Sequence, residues 1–206
     1  MTLAEQLVLL ALDPMRGRPA PGVVSARLRR GAAAAILAEL VMHHRLVARG
    51  DRVAMADALP DYHQLLGEAG ALIRRGGVPL PLAEALQRVE RGIPKLVERV
   101  LDSLVARDLL HHYRQVFFLH RYPLRSRQAL DEVFAVLHRV MENKAPSASD
   151  LALAAMADCC GVASARLPSE KQFLLRRGLH NIDPALEGRA ELETVIAIAK
   201  IAEDVG

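Results

Sequence analysis

Leu104-Val105-Ala106-Arg107-Asp108-Leu109-Leu110 runs into His111-His112-Tyr113-Arg114-Gln115 and then Val116-Phe117-Phe118-Leu119-His120-Arg121-Tyr122-Pro123-Leu124. The first segment closes a helical pattern. Between it and Pro123 apolar side chains alternate with Arg and His, as strands require. The spacing predicts a two-stranded hairpin set into a helical chain, with Pro123 starting the next helix. Phe117, Phe118 and Tyr122 are crowded together there, in a chain that has no Trp. An apolar and cationic hairpin on a helical body suits docking on a membrane surface or a partner better than covalent catalysis.

At 206 residues, 51% of them apolar, the chain can bury one substantial core, so one domain over residues 1–206 is expected. Ala and Leu are abundant and β-branched residues sparse, which favours helices. The longest apolar runs, residues 3–12 and 32–42, are too short to span a bilayer and contain Glu5 and Glu39. No basic segment followed by an apolar run and a cleavage site opens the sequence, so a cytoplasmic protein is expected, at most peripheral to the inner face of a membrane. Cys159 and Cys160 are neighbours on a helical pattern and point apart, which argues against a mutual disulfide.

The net charge of +3 hides an uneven distribution. Residues 16–52 carry Arg16, Arg18, Arg27, Arg29, Arg30, Arg45, Arg49 and Arg52 against Glu39 and Asp51, and residues 107–127 repeat the bias. Arg supplies a planar fork suited to phosphate, although a solvated helix face would have the same composition.

Thr2-Leu3-Ala4-Glu5 is a capping box that opens a helix running to Leu12. Residues 16–22 are a loop by their Pro and Gly content. A long helix is expected over residues 24–43. Its tetra-alanine run 32–35 permits close packing, so it is largely buried. Residues 45–48 and 52–55 flank a tight turn at Gly50 and read as a small hairpin. Helical patterns continue over residues 62–75, 81–91 and 94–107, and after the second hairpin over 124–143, 146–160, 169–178 and 191–203. Gly161 and Gly178 are expected as helix stops. The fold class is therefore mainly α, a helical globule with two small β-hairpins, one of them projecting.

Little in the sequence calls for catalysis or metal. His43-His44 and His111-His112 are adjacent, whereas helical metal pairs need ligands three or four residues apart on one face. Cys159 and Cys160 lie in an apolar run without a cationic flank, and scattered carboxylates such as Glu84, Glu90 and Glu98 suit a helix surface. No catalytic residue, metal or cofactor is assigned. A helix-turn-helix is absent, so nucleic acid is not expected as a partner. The N-terminal turn that bears Arg27, Arg29 and Arg30 combines guanidinium groups with free backbone N–H groups, which suits a phosphate group better than a duplex.

The order of motifs resembles the Golgi phosphoprotein 3 family, in a bacterial-type form. The resemblance is carried by residues 3–13 with Arg16-Gly17, by Leu37-Ala38-Glu39-Leu40 with Arg45-Leu46, by the helix-to-hairpin run ending at Leu110 with Phe117-Phe118-Leu119 and Tyr122-Pro123-Leu124, and by residues 151–158. It implies a helical globule with a projecting hairpin. It also implies a non-enzymatic peripheral protein that binds phosphatidylinositol 4-phosphate or another anionic phospholipid. The family's lipid-site Trp has no counterpart, and Val23 or Val24 falls near its place. The family's Arg in the second helix falls on Ala33, and its basic pair before the hairpin falls on Pro94 and Val97. The anion site expected in this chain is therefore Arg29, Arg30, Lys95 and Arg99. Arg114, Phe117, Phe118, Leu119, Arg121 and Tyr122 are expected to supply membrane or oligomer contacts, with His111, His112 and His120 adding charge on protonation. The expected partners are an anionic phospholipid or other phosphorylated ligand, a second copy of the chain, and protein partners. Two alternatives stay open on the residues alone: a soluble protein-interaction scaffold, and an enzyme or small-molecule binder with an interhelical pocket.

Overall fold

The computed structural model describes residues 1–56, 63–75, 77, 79–114, 120–181 and 190–203. Phe117, Phe118 and Leu119 lie outside the described residues, as does Tyr62. Ten helices and seven short strands follow one another in the described chain. The first helix, α1 (Leu3–Ala11), is opened by Thr2, whose hydroxyl accepts from Glu5 N–H while the Glu5 carboxylate accepts from Thr2 N–H. Glu39 reaches over from α2 (Ser25–Met42) and accepts Leu3 N–H at 2.6 Å, so a second carboxylate covers the same N-terminus.

Helix α2 is the centre of the molecule. Every residue from 31 to 38 is buried, and the helix packs against α1, α3 (Gln64–Arg74), α4 (Leu82–Gly92), α5 (Leu96–Ala106), α7 (Ala148–Cys159) and α10 (Ala190–Glu203). A helix apolar on all sides must be surrounded, and small side chains allow neighbours on every side. Gly31 shows how tight this is: a Cβ there would press on Cys160. The two cysteines are free thiols.

The mainly helical fold with small antiparallel sheets agrees with the sequence reading. The hairpin of β3 (Leu46–Arg49) and β4 (Arg52–Met55) pairs Leu46 with Met55 and turns at Gly50, whose φ is +64°. A third strand, β5 (Leu80–Pro81), joins its edge through Val53 and Leu80, so the unit is three-stranded. Residues 12–19 form a further two-stranded ribbon, β1 (Leu12–Asp13) with β2 (Arg18–Pro19), where the end of the first helix at Leu12 and a loop over 16–22 are expected. In the hairpin that opens the sequence reading, β6 (Tyr113–Arg114) pairs with β7 (His120–Arg121).

Two expected boundaries move. Pro123 does not begin a helix: Leu124 bridges Leu110, its N–H bonds to Pro14, and Ser126 caps α6 (Arg127–Met141). Gly178 does not end one: α9 (Ser169–His180) runs through it, because Gly178 faces the backbone of Val140 on α6 with no room for a side chain. A five-residue helix, α8 (Val162–Arg166), lies between α7 and α9.

Candidate functional site

A cavity of about 550 Å³ opens between the N-terminal ends of α2 and α5, the β1–β2 ribbon and strand β7. Arg18, Arg29 and Lys95 stand on its rim together with Glu98, and His120 and Tyr122 form its hairpin side. Its floor is made of leucines, Leu12, Leu28, Leu96 and Leu101, all buried. Charges above such a floor are less screened than in open water.

The backbone adds to the cations. Neither helix facing the cavity has a side-chain cap: Val24 precedes α2 and Lys95 precedes α5. Ser25 of α2 and Leu96, Val97 and Glu98 of α5 line the cavity, so two helix N-termini with unclaimed N–H groups open on it. Lys95 itself is left-handed, φ +51°. Arg29 donates from Nη2 and Nε to the carbonyl of Glu90 at 2.7 and 3.2 Å. That acceptor is neutral, so the guanidinium is oriented without being neutralised. Arg18 and Lys95 have no carboxylate partner among the described residues.

Of the four cations expected to form an anion site, Arg29 and Lys95 meet here and Arg30 and Arg99 do not. Arg30 lies about 100° around α2 from Arg29 and opens on a neighbouring hollow, where its Nε is 3.1 Å from the Glu90 carboxylate whose backbone carbonyl Arg29 holds. Arg99 forms a two-pronged pair with Glu68 of α3 at 2.5 and 2.6 Å, in a separate hollow with His63 and Ser103. The Arg99 guanidinium holds the Glu68 carboxyl below its ordinary range. Lys95 precedes the helix in a left-handed conformation, so the four-residue spacing to Arg99 does not bring them onto one face. Ala33 is fully buried, whereas Val97 lines the cavity and Val24 is 53% exposed beside it. Arg18, which residue types alone did not single out, is brought in by the β1–β2 ribbon.

The hairpin base is a wall of this cavity. Tyr122, expected as an outward contact, is 6% exposed. Its hydroxyl donates to Asp102 Oδ1 at 3.4 Å, and burial together with the charge of Asp102 pushes its pKa up to about 12. Its amide bonds to Gly17, because the β1–β2 ribbon passes beneath it. The His112 ring stacks on the Tyr122 ring with centroids 4.8 Å apart, and His112 Nε2 and His120 Nδ1 share a hydrogen bond of 2.8 Å. Arg121 is half-buried and its Nε has no partner. Arg114 belongs to β6 and pairs with His120, but its side chain lies outside the described residues, as do Phe117, Phe118 and Leu119.

Elsewhere the chemistry is structural. Burial pushes the Glu5 carboxyl up, but bonds from His63, Thr2 N–H and Ser103, with the charge of Arg107, outweigh it and bring the pKa to about 2. Among the described residues no cluster of His, Cys, Asp and Glu is arranged for a metal ion, and no helix is long and apolar enough to cross a membrane.

No curated protein matches the chain significantly. Residues 3–198 match the sequence profile of Golgi phosphoprotein 3 (GPP34). That match spans nearly the whole fold, from α1 into α10, and takes in every rim residue of the cavity. The chain belongs to the Golgi phosphoprotein 3 (GPP34) family.

Proposed function

We propose that the protein is a non-enzymatic peripheral membrane adaptor that holds an anionic phospholipid headgroup in the cavity between α2 and α5. The reading rests on one observation: Arg18, Arg29 and Lys95 share a concave site with two uncapped helix N-termini. Helix termini and guanidinium groups both favour phosphate, and a leucine floor strengthens the attraction. Family membership, and the lack of a spanning helix among the described residues, agree with a peripheral, non-catalytic protein.

Phosphatidylinositol 4-phosphate, the headgroup implied by the family resemblance, is one candidate ligand. The phosphate is proposed to sit between Arg29 and the α5 N-terminus, with Lys95 and Arg18 closing over it. Glu98 faces the same space and is suited to accept from a headgroup hydroxyl. A single cavity of this kind binds weakly, so stable attachment is proposed to require several copies joined through the hairpin segment, with Arg114, Phe117, Phe118, Leu119 and Arg121 as the proposed contacts. Arg30 and Arg99 are proposed to support the fold around the site.

Co-sedimentation with vesicles of phosphatidylcholine, with and without anionic phospholipid, tests the reading. Binding should require the anionic lipid, weaken with salt and fall in Arg29→Ala. Equal recovery on neutral and anionic vesicles would overturn it. Retention in solution by an acidic protein partner would favour the scaffold alternative.

A further inference from the structure

His120 faces the cavity from the hairpin side, yet its Nδ1 is held by His112 Nε2 at 2.8 Å. An imidazole–imidazole hydrogen bond needs one bare ring nitrogen, which only a neutral ring has. When both rings are imidazolium cations, two N–H groups and two positive charges face each other and the bond is lost. The rings differ in how firmly they are fixed. His112 is stacked on Tyr122 with an interplanar angle of 6°, and Tyr122 is anchored by its amide to Gly17 and by its hydroxyl to Asp102. His120 is exposed on the two-residue strand β7. Loss of the bond therefore frees His120.

We propose that His120 is a proton-controlled ligand of the anion cavity, restrained by His112 while one ring is neutral and released as a further cation beside Arg18, Arg29 and Lys95 once both are protonated. This rests on the headgroup-binding reading and supplies its regulation. Negative charge near the pair comes from Asp102 and Glu98 on α5, which face Tyr122. Positive charge comes from Arg18 on β2, Arg29 on α2, Lys95 before α5, and Arg121 on β7, while His111, tilted against Tyr113, is a further imidazole on the same segment. An anion in the cavity offsets those cations. Anion binding and proton uptake then reinforce each other, as linkage requires.

The test uses the full chain and vesicles of phosphatidylglycerol in phosphatidylcholine, because a phosphodiester keeps one negative charge across the range where imidazole titrates. Affinity should rise about fivefold to tenfold between about pH 8 and about pH 6, while His120→Gln should change by less than about twofold. An unchanged wild-type affinity, or a full pH response in His120→Gln, would overturn the proposal. Should the vesicles go unbound at both pH values, the headgroup reading fails and the side-chain NMR titration of His112 and His120 decides the latch alone. Two separated protonation steps, collapsing to one in His120→Gln, support it; two independent overlapping steps overturn it.

Discussion

The amide of Tyr122 donates to the carbonyl of Gly17 across 2.8 Å, fastening the base of the β6–β7 hairpin to the ribbon that presents Arg18. Gly17 has φ +61°, and a Cβ there would overlap the backbone of Tyr122 and Pro123. Neither the conformation nor the space suits another residue. Gly17→Ala is expected to cost roughly 2–4 kcal/mol, read as a lower urea midpoint, and to weaken anionic-vesicle binding because Arg18 moves with the ribbon.

The split among the expected cations is directly measurable. Arg29→Ala and Lys95→Ala should each lower affinity for anionic vesicles about threefold to tenfold, with a shallower dependence on salt. Arg30→Ala and Arg99→Ala should change affinity less than about twofold. Arg99→Ala should lose only about 0.5 kcal/mol of stability, because its pair with Glu68 is partly exposed. Equal losses of binding in all four variants would show that the cations act as a diffuse field.

Glu5 ties three parts of the chain together: Ser103 Oγ donates to it at 2.8 Å, Arg107 Nη1 lies at 3.2 Å, and His63 Nε2 at 3.6 Å. Its pKa is lower in the folded protein than in the unfolded chain, so its contribution is fully present above the unfolded value of 4.5 and is lost as the pH falls toward about 2. That contribution is roughly 3 kcal/mol. Glu5→Gln should lower stability at neutral pH and flatten the acid limb of the stability curve, measured by urea denaturation at stepped pH.

Two glycines should respond differently to alanine. A Cβ on Gly178 of α9 would overlap the Val140 carbonyl, so Gly178→Ala must separate α9 from α6 and should cost about 2–3 kcal/mol. Gly50 meets nothing within 4 Å, so Gly50→Ala should cost only about 1 kcal/mol, from its positive φ. Thermal melts of the two variants give the comparison.

The boundaries legible in the sequence are those set by short-range chemistry. The Thr2–Glu5 box and the Gly50 turn each satisfy backbone groups within a few residues, so their residue types suffice to locate them. Burial of α2 was likewise readable, because a helix of small apolar side chains has no polar face to show to water. Gly178 was misread for the complementary reason: a glycine that ends a helix and one that admits a neighbouring backbone look the same along the chain.

The candidate site was legible only in part. Composition marked Arg29 and Arg30 at a helix start and the family resemblance pointed to Lys95 and Arg99, but which of them meet depends on the rotation of α2, the left-handed turn at Lys95 and the reach of Glu68 and Glu90 from other helices. Arg18 and His120 join the cavity only because the β1–β2 ribbon and the hairpin base are pinned together at Gly17 and Tyr122. By itself the sequence determined most of the helices, the Thr2–Glu5 cap and the central apolar segment, since these follow from local hydrogen bonding and hydrophobic period. The tertiary structure alone decided where positive charge converges, because that depends on contacts between residues far apart in the chain.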